Sequence, residues 1–418
     1  MKSTLVKAGL ALSLIAANFG FAQEFPIDNI KPRDQRGVSN FENPKDSITN
    51  YDGLKVRVGG AFALQFQGLK HENDSNVPLY KIGNNFNLAT ANLDVDVALY
   101  DGVALHLRTF LSSRHHNEAY VKGGYLQIDK LDFIKKDFLA DFMKHATIKF
   151  GHDEINYGDA HFRRSDNASA ISNPFVGNLL MDAFATMIFT EVYYQRDGFI
   201  GMVGLTNGRL NQTASGGTSP NLYAKVGYDK QLNEDLRVRL TGSVYNAANS
   251  QRLDFYDGDR AGSRYYFVME GATATSSANF RSGQIVPDFK NKLTSFMINP
   301  FVKYKGLEVF GTIETTSGRN FAEADRRTWN QYAGEALYRF GNDENFYVGA
   351  KYNQVNGEMA TGEEVTVDRF NIGGGWFMTK NILTKVEYVN QKYDGYAPTN
   401  ILSGGKFNGF VLEAVISF

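Results

Sequence analysis

Phe407-Asn-Gly-Phe-Val-Leu-Glu-Ala-Val-Ile-Ser-Phe418 is the stretch whose reading decides the fold. Its even positions are Phe410, Leu412, Ala414, Ile416 and Phe418; its odd positions are Gly409, Val411, Glu413, Val415 and Ser417. Side chains alternate faces along a strand, so one face is wholly apolar and the other carries a carboxylate and a hydroxyl. An open edge strand this apolar would invite aggregation in water. A closed barrel in lipid requires the pattern, because hydrocarbon wets the outer face and closure pairs every backbone group.

The same alternation recurs upstream. Leu54, Val56, Val58, Phe62, Leu64 and Phe66 are set against Lys55, Arg57 and Gln65, and Leu93, Val95 and Val97 against Asn92, Asp94 and Asp96. About sixteen such segments can be counted between residue 54 and the terminal Phe. Their connectors alternate in length. Asp101-Gly102, Arg196-Asp-Gly198 and Lys305-Gly306 are tight turns, whereas 69–84, 153–183, 207–220 and 247–292 are long and polar. A barrel segregates loop length by parity, with short turns at one mouth and long loops at the other. The expectation is an all-β transmembrane antiparallel barrel over 54–418. Its inward charges would be Lys55, Arg57, Asp94, Asp96, Arg108, Lys149, Lys225, Arg237, Arg239, Glu308, Glu314, Lys351, Lys385 and Glu413.

Three stretches stand outside this pattern. Residues 1–22 read as an export signal: Lys2 and Lys7, an apolar run over 8–17, then the small-x-small Gly20-Phe21-Ala22. Residues 23–53, with Pro26, Pro32 and Pro44, read as an irregular periplasmic lead-in, with a small plug or partner-binding tail as the alternative. Leu131, Ile134, Phe138 and Phe142 recur at helical spacing where a short turn belongs. They predict a short periplasmic helix over 131–143 capping the mouth, or else one lying in the membrane interface or docking a partner.

Composition removes other classes. The chain has no cysteine, hence no disulfide and no thiolate site. Without the signal's two lysines the formal charge is (44 − 2) − 45 = −3, which gives no footprint for nucleic acid. The histidines lie outside any nucleophile-elbow context. Gly373-Gly-Gly375 opens no helix, and His152-Asp-Glu154 and Asp159-Ala-His161 lack metal-site spacing. An enzyme, a cofactor or a metal is therefore not expected.

Two resemblances sharpen the reading. The terminal segment ending in Phe418 resembles the last strand of bacterial outer-membrane barrels, which implies a sorting and insertion signal read by the barrel-assembly machinery. Ala146-Thr-Ile-Lys-Phe-Gly-His-Asp-Glu-Ile-Asn-Tyr-Gly158, with His161 to Asn167 and Asn173 to Gly177, resembles the phosphate-selective porin O/P-like family, closest to its Bacteroidetes relatives. That resemblance implies an outer-membrane homotrimer amid lipid and lipopolysaccharide, passing small solutes or anions such as phosphate. Its third long loop, here 153–183, would fold inward and narrow the pore. His161, Arg163, Arg164 and Asp166 are then the candidate constriction residues. Alternatively Arg163 and Arg164 pair with Asp166 and Asp159 and merely hold the loop. Acids are mixed with bases along the inward positions, so a general diffusion pore stays open beside an anion channel. A barrel that acts through its long loops as a structural or surface-interaction protein is the other class.

Overall fold

A computed structural model describes the chain except residues 1–26, 46–50, 113–118, 166–168, 185, 210–218, 251–252 and 258–263, so the expected export signal lies outside the described residues. Sixteen strands form it: β1 Lys55–Glu72, β2 Asn85–Tyr100, β3 Val103–Leu111, β4 Tyr120–Ile128, β5 Ala146–Glu154, β6 Thr186–Arg196, β7 Phe199–Thr206, β8 Asn221–Gln231, β9 Leu236–Ala247, β10 Lys292–Tyr304, β11 Leu307–Arg319, β12 Arg327–Phe340, β13 Phe346–Glu358, β14 Glu364–Thr379, β15 Ile382–Asp394 and β16 Lys406–Ser417. Each pairs antiparallel with its sequence neighbours, and β1 pairs with β16, so the sheet closes on itself.

The quoted C-terminal stretch makes the seam. Phe62 faces Ile416, Leu64 faces Ala414 and Phe66 faces Leu412 across it, all outward. Gly60 and Phe418 exchange both backbone hydrogen bonds at 3.0 Å. A Cβ on Gly59 would sit 2.7 Å from the Phe418 carbonyl, so glycine lets the chain end approach. At the short-turn mouth, Asp197 and Gly198 take φ of 53° and 92°, the doubly left-handed turn that suits the right-handed twist of paired strands.

Outward positions are apolar and exposed, as at Val203, Val226 and Leu240. Inward positions are polar and buried: Asp94, Asp96, Lys225, Glu308, Glu314, Lys385 and Glu413 are each nearly inaccessible. Something therefore covers the inner wall.

Three segments do so. In the first, the plug that stood as the alternative replaces the expected periplasmic lead-in: residues 27–45 run inside the barrel at the short-turn end. Arg33 reaches Asp94 at 3.3 Å and Asp96 at 3.0 Å, and Lys45 reaches Asp129 at 2.7 Å. Phe41 packs edge-on against Phe301, ring centroids 5.2 Å apart. An irregular segment rich in charge is stable there because the wall offers opposite charges and carbonyls for each of its groups.

The second is the β5–β6 loop. Leu180 and Met181 donate backbone N–H to Asn353 (2.7 Å) and Gln331 (3.0 Å), while Lys385 donates to the carbonyls of Ala170, Asn173 and Phe175. The third is the β9–β10 loop. Tyr256 donates to Glu314 (2.6 Å), Tyr265 to Glu387 (2.5 Å), and Arg264 pairs with Glu413 (2.5 Å). Ile285 N–H donates to the Leu180 carbonyl at 2.8 Å, which joins the two loops inside the lumen.

The helix expected over 131–143 is also corrected. Only Ala140–Met143 is helical, which we label α1. Asp137 and Leu139 take φ of 59° and 53°, and left-handed residues cannot continue a right-handed helix. The segment is a chain of turns, and it does not cap the mouth. Met143 packs on Ile128 and Ala146, with Leu131 beside them. Ile128 and Ala146 belong to the outward-facing sets of β4 and β5.

Candidate functional site

Inside the filled barrel a cavity of about 150 Å³ remains beside β3, β4, β5 and β6. Lead-in residues 30–33 and 41–43 close one side, and the β5–β6 loop contributes Asn156, His161 and Phe162. Four cations face it, Lys31, Arg33, Arg108 and Lys149, together with four carboxylates, Glu42, Asp153, Glu154 and Glu191.

Their environments differ. Arg108 is held by Asp94, Nε to Oδ1 2.7 Å. Lys31 donates its Nζ to the carbonyls of Asn40 (3.2 Å) and Phe41 (3.0 Å) and lies 4.6 Å from the Phe162 ring centre. Burial pushes the Lys31 ammonium down to about 8, despite Glu154 and Glu42 nearby. Lys149 sits between two rings, 5.1 Å from the centres of both Tyr125 and Tyr193, and makes no ion pair among the described residues. An ammonium held by ring faces keeps its charge available to a passing ion.

One expected outcome follows from Lys31. Its folded-state value of about 8 lies below the ordinary 10.5, so it carries charge below that pH and loses it above. Raising pH from about 7 to about 9 removes one positive charge from the cavity, and the selectivity of any current should shift towards cations. Because burial disfavours the charged form, the seated lead-in becomes more stable as pH rises from about 8 towards 10.5. Reversal potentials read across this window check it; Lys31→Met should flatten most of the change.

The expected constriction residues are elsewhere engaged. Arg163 is buried, with Nη2 2.7 Å from Glu308 and 2.6 Å from Glu335. Burial opposes its charge, but those two carboxylates outweigh it and raise its affinity for the proton. Arg164 pairs with Asp182 at 2.6 Å and lies 3.7 Å from the Phe184 ring centre. Neither is a free cation facing solvent, and neither uses Asp159. That carboxylate binds Lys225 (3.0 Å), Arg239 (2.8 Å) and Thr241 (2.7 Å). His161 lies 2.5 Å from Glu154 and 2.9 Å from Asn156. Asp166 lies outside the described residues.

The inward charges form local pairs rather than a ladder of one sign. Arg57 pairs with Asp96 (2.7 Å), Arg237 with Asp229 (2.7 Å), Lys385 with Glu413 (2.5 Å) and Lys55 with Asp52 (2.7 Å). Lys351 donates to the Gly177 carbonyl at 2.9 Å. Lys225 and Arg239 also receive Glu42 of the lead-in at 3.3 and 2.8 Å. Burial raises the Glu42 carboxyl, but these two cations win and hold it at about 2.

The closed sixteen-stranded barrel is similar to solved structures. The outer-membrane protein OmpT of Vibrio cholerae superposes with a TM-score of 0.52 at 12% identity, covering 89% of this chain and 100% of its own. The fold is the porin barrel. The anion-selective porin of Comamonas acidovorans gives 0.53 at 12% identity over 88% and 100% of the two chains. The outer-membrane channel DcaP of Acinetobacter baumannii gives 0.54 at 12% identity over 88% and 99%. No family model and no curated protein matches the sequence. These likenesses carry the porin architecture; the narrower phosphate-selective, Bacteroidetes-type resemblance rests on the sequence motifs alone.

Lead-in residues Lys31, Arg33 and Glu42 were not legible as site residues. A segment without periodicity gives no face to assign. Its only signal is Lys31-Pro-Arg33-Asp34 followed by Phe41-Glu42, charges dense enough to need partners.

Proposed function

We propose that this chain is an outer-membrane channel through which small hydrophilic solutes diffuse passively, with a preference for anions such as phosphate. The carrying observation is a cavity of mixed charge inside a barrel whose outer face is apolar. In it Lys149 lies opposite Glu191 in the ladder but makes no ion pair among the described residues, whereas Arg108 and Arg33 are taken up by Asp94 and Asp96. A low-dielectric wall leaves such a charge poorly screened, so it attracts anions and repels cations. Export by the 1–22 signal, insertion read from Phe418 and assembly as a homotrimer complete the proposal. The trimer is supported by the trimer form of Vibrio cholerae OmpT.

Purified protein in a planar bilayer tests it. Stepwise conductance is expected, with a reversal potential in a KCl gradient that favours chloride. Lys149→Glu should reverse or abolish that preference while leaving the barrel folded, because Lys149 anchors no loop. An unchanged reversal potential in this variant removes the cavity from the ion path. The filled lumen favours a second reading, a barrel that acts through its surface and conducts nothing. A silent bilayer with an intact fold supports that reading instead.

A further inference from the structure

We propose that the connector 131–143 is a membrane foot: it lies against the outside of the barrel and sinks its apolar side chains into the near leaflet's interfacial zone. Other connectors at the same mouth have two to five residues between strands, as at 101–102, 305–306 and 341–345, whereas the chain leaves β4 at Ile128 and enters β5 at Ala146. The extra length does not enter the lumen. Met143, only 3% exposed, is packed on Ile128 and Ala146 of the outward wall. Phe142 stacks on outward Tyr194, centroids 5.9 Å apart and planes at 30°, so the foot is continuous with the outer face of the wall.

Four further apolar side chains point away from protein. Phe133, Ile134, Phe138 and Leu139 are 50, 61, 39 and 53% exposed. Four large apolar groups on one short connector are too many for a surface left in water. Lys135 and Lys136 are exposed among them and can reach lipid phosphates while their stems stay with the apolar groups, whereas Lys144 is paired with Asp141 at 2.6 Å. The backbone is suited to low polarity, since Ile134, Phe138 and Met143 donate within the segment at 2.9 to 3.0 Å. Continuity with the lipid-facing wall selects lipid as the occupant over a second copy or a protein partner.

This inference rests on the reading of the barrel as bilayer-embedded, and the experiment separates the two. The chain has no cysteine, so single nitroxide labels can be placed at Ile134→Cys, Phe138→Cys, Val226→Cys on the wall and Ala360→Cys on the exposed β13–β14 connector at the opposite mouth. In lipid vesicles the foot labels are expected to match Val226→Cys: relaxed by oxygen, shielded from water-soluble nickel chelate, with an oxygen-to-nickel ratio several-fold above that at Ala360→Cys. Nickel access at both foot positions, with Val226→Cys still shielded, overturns the foot and leaves the bilayer reading standing. Shielding from both reagents overturns it too, in favour of a protein contact. Nickel access at Val226→Cys defeats the bilayer reading and the foot together.

Discussion

Deleting residues 27–45 should raise single-channel conductance several-fold while leaving an intact barrel. The segment closes one side of the cavity and crosses the short-turn end of the lumen. No strand depends on it for backbone pairing, since β1 starts at Lys55 and is hydrogen-bonded on both edges by β2 and β16. The charges that it would abandon keep other partners. Asp96 retains Arg57 at 2.7 Å, Asp94 retains Arg108 at 2.7 Å, and Lys225 and Arg239 retain Asp159. Water entering the vacated space solvates whatever is left. Removing a charged segment from the interior therefore costs little stability and opens cross-section. Single-channel recording on the deletion variant, beside its heat-modified electrophoretic mobility, reads both. Conductance equal to that of the full chain would place the ion path away from the lead-in.

A milder version of the same effect is expected from Glu42→Gln. It removes the carboxylate that joins the lead-in to Lys225 and Arg239. The lead-in keeps its Arg33 and Lys45 anchors, so openings should become more frequent without a larger unit conductance. Long recordings of open probability distinguish the two.

The wall was legible from the sequence for a physical reason. Alternation along Phe407 to Phe418 or Leu54 to Phe66 is imposed residue by residue by the two solvents, and needs no knowledge of distant contacts. Loop-length parity is equally local. What fills the interior is set by which side chains share a depth, and that depends on strand tilt and register. Arg163 meets Glu308 and Glu335 from two adjacent strands, whereas the nearby Asp159 bonds to β8 and β9. Sequence proximity had offered Asp159 as a partner of these arginines. The 131–143 segment failed differently. Its helical spacing is real, but Asp137 and Leu139 break the helix, and its apolar groups face outward.

The second large effect concerns Arg163, and its sign can be argued through. Arg163→Glu places a third carboxylate beside Glu308 and Glu335, all of them buried. Arg339 remains 3.2 Å from Glu308 and Lys351 lies opposite Glu335 in the ladder, so two cations would face three acids. Breaking a buried ion pair by removing one partner typically costs about 3–5 kcal/mol, an upper bound here because water can enter a lumen. The least costly relief is withdrawal of the β5–β6 loop from the wall. The expected outcome is a lower thermal unfolding temperature, new protease sensitivity near 160–165 and a wider, less selective pore. The charge swap Arg163→Glu with Glu335→Arg restores opposite charges across the same gap and should recover much of the loss. In a double-mutant cycle that recovery appears as a coupling energy, which independent surface charges would not show. Equal sensitivity of the single and swapped variants to heat and protease would mean that the loop is held by its backbone bonds to Asn353 and Gln331 and not by this cluster.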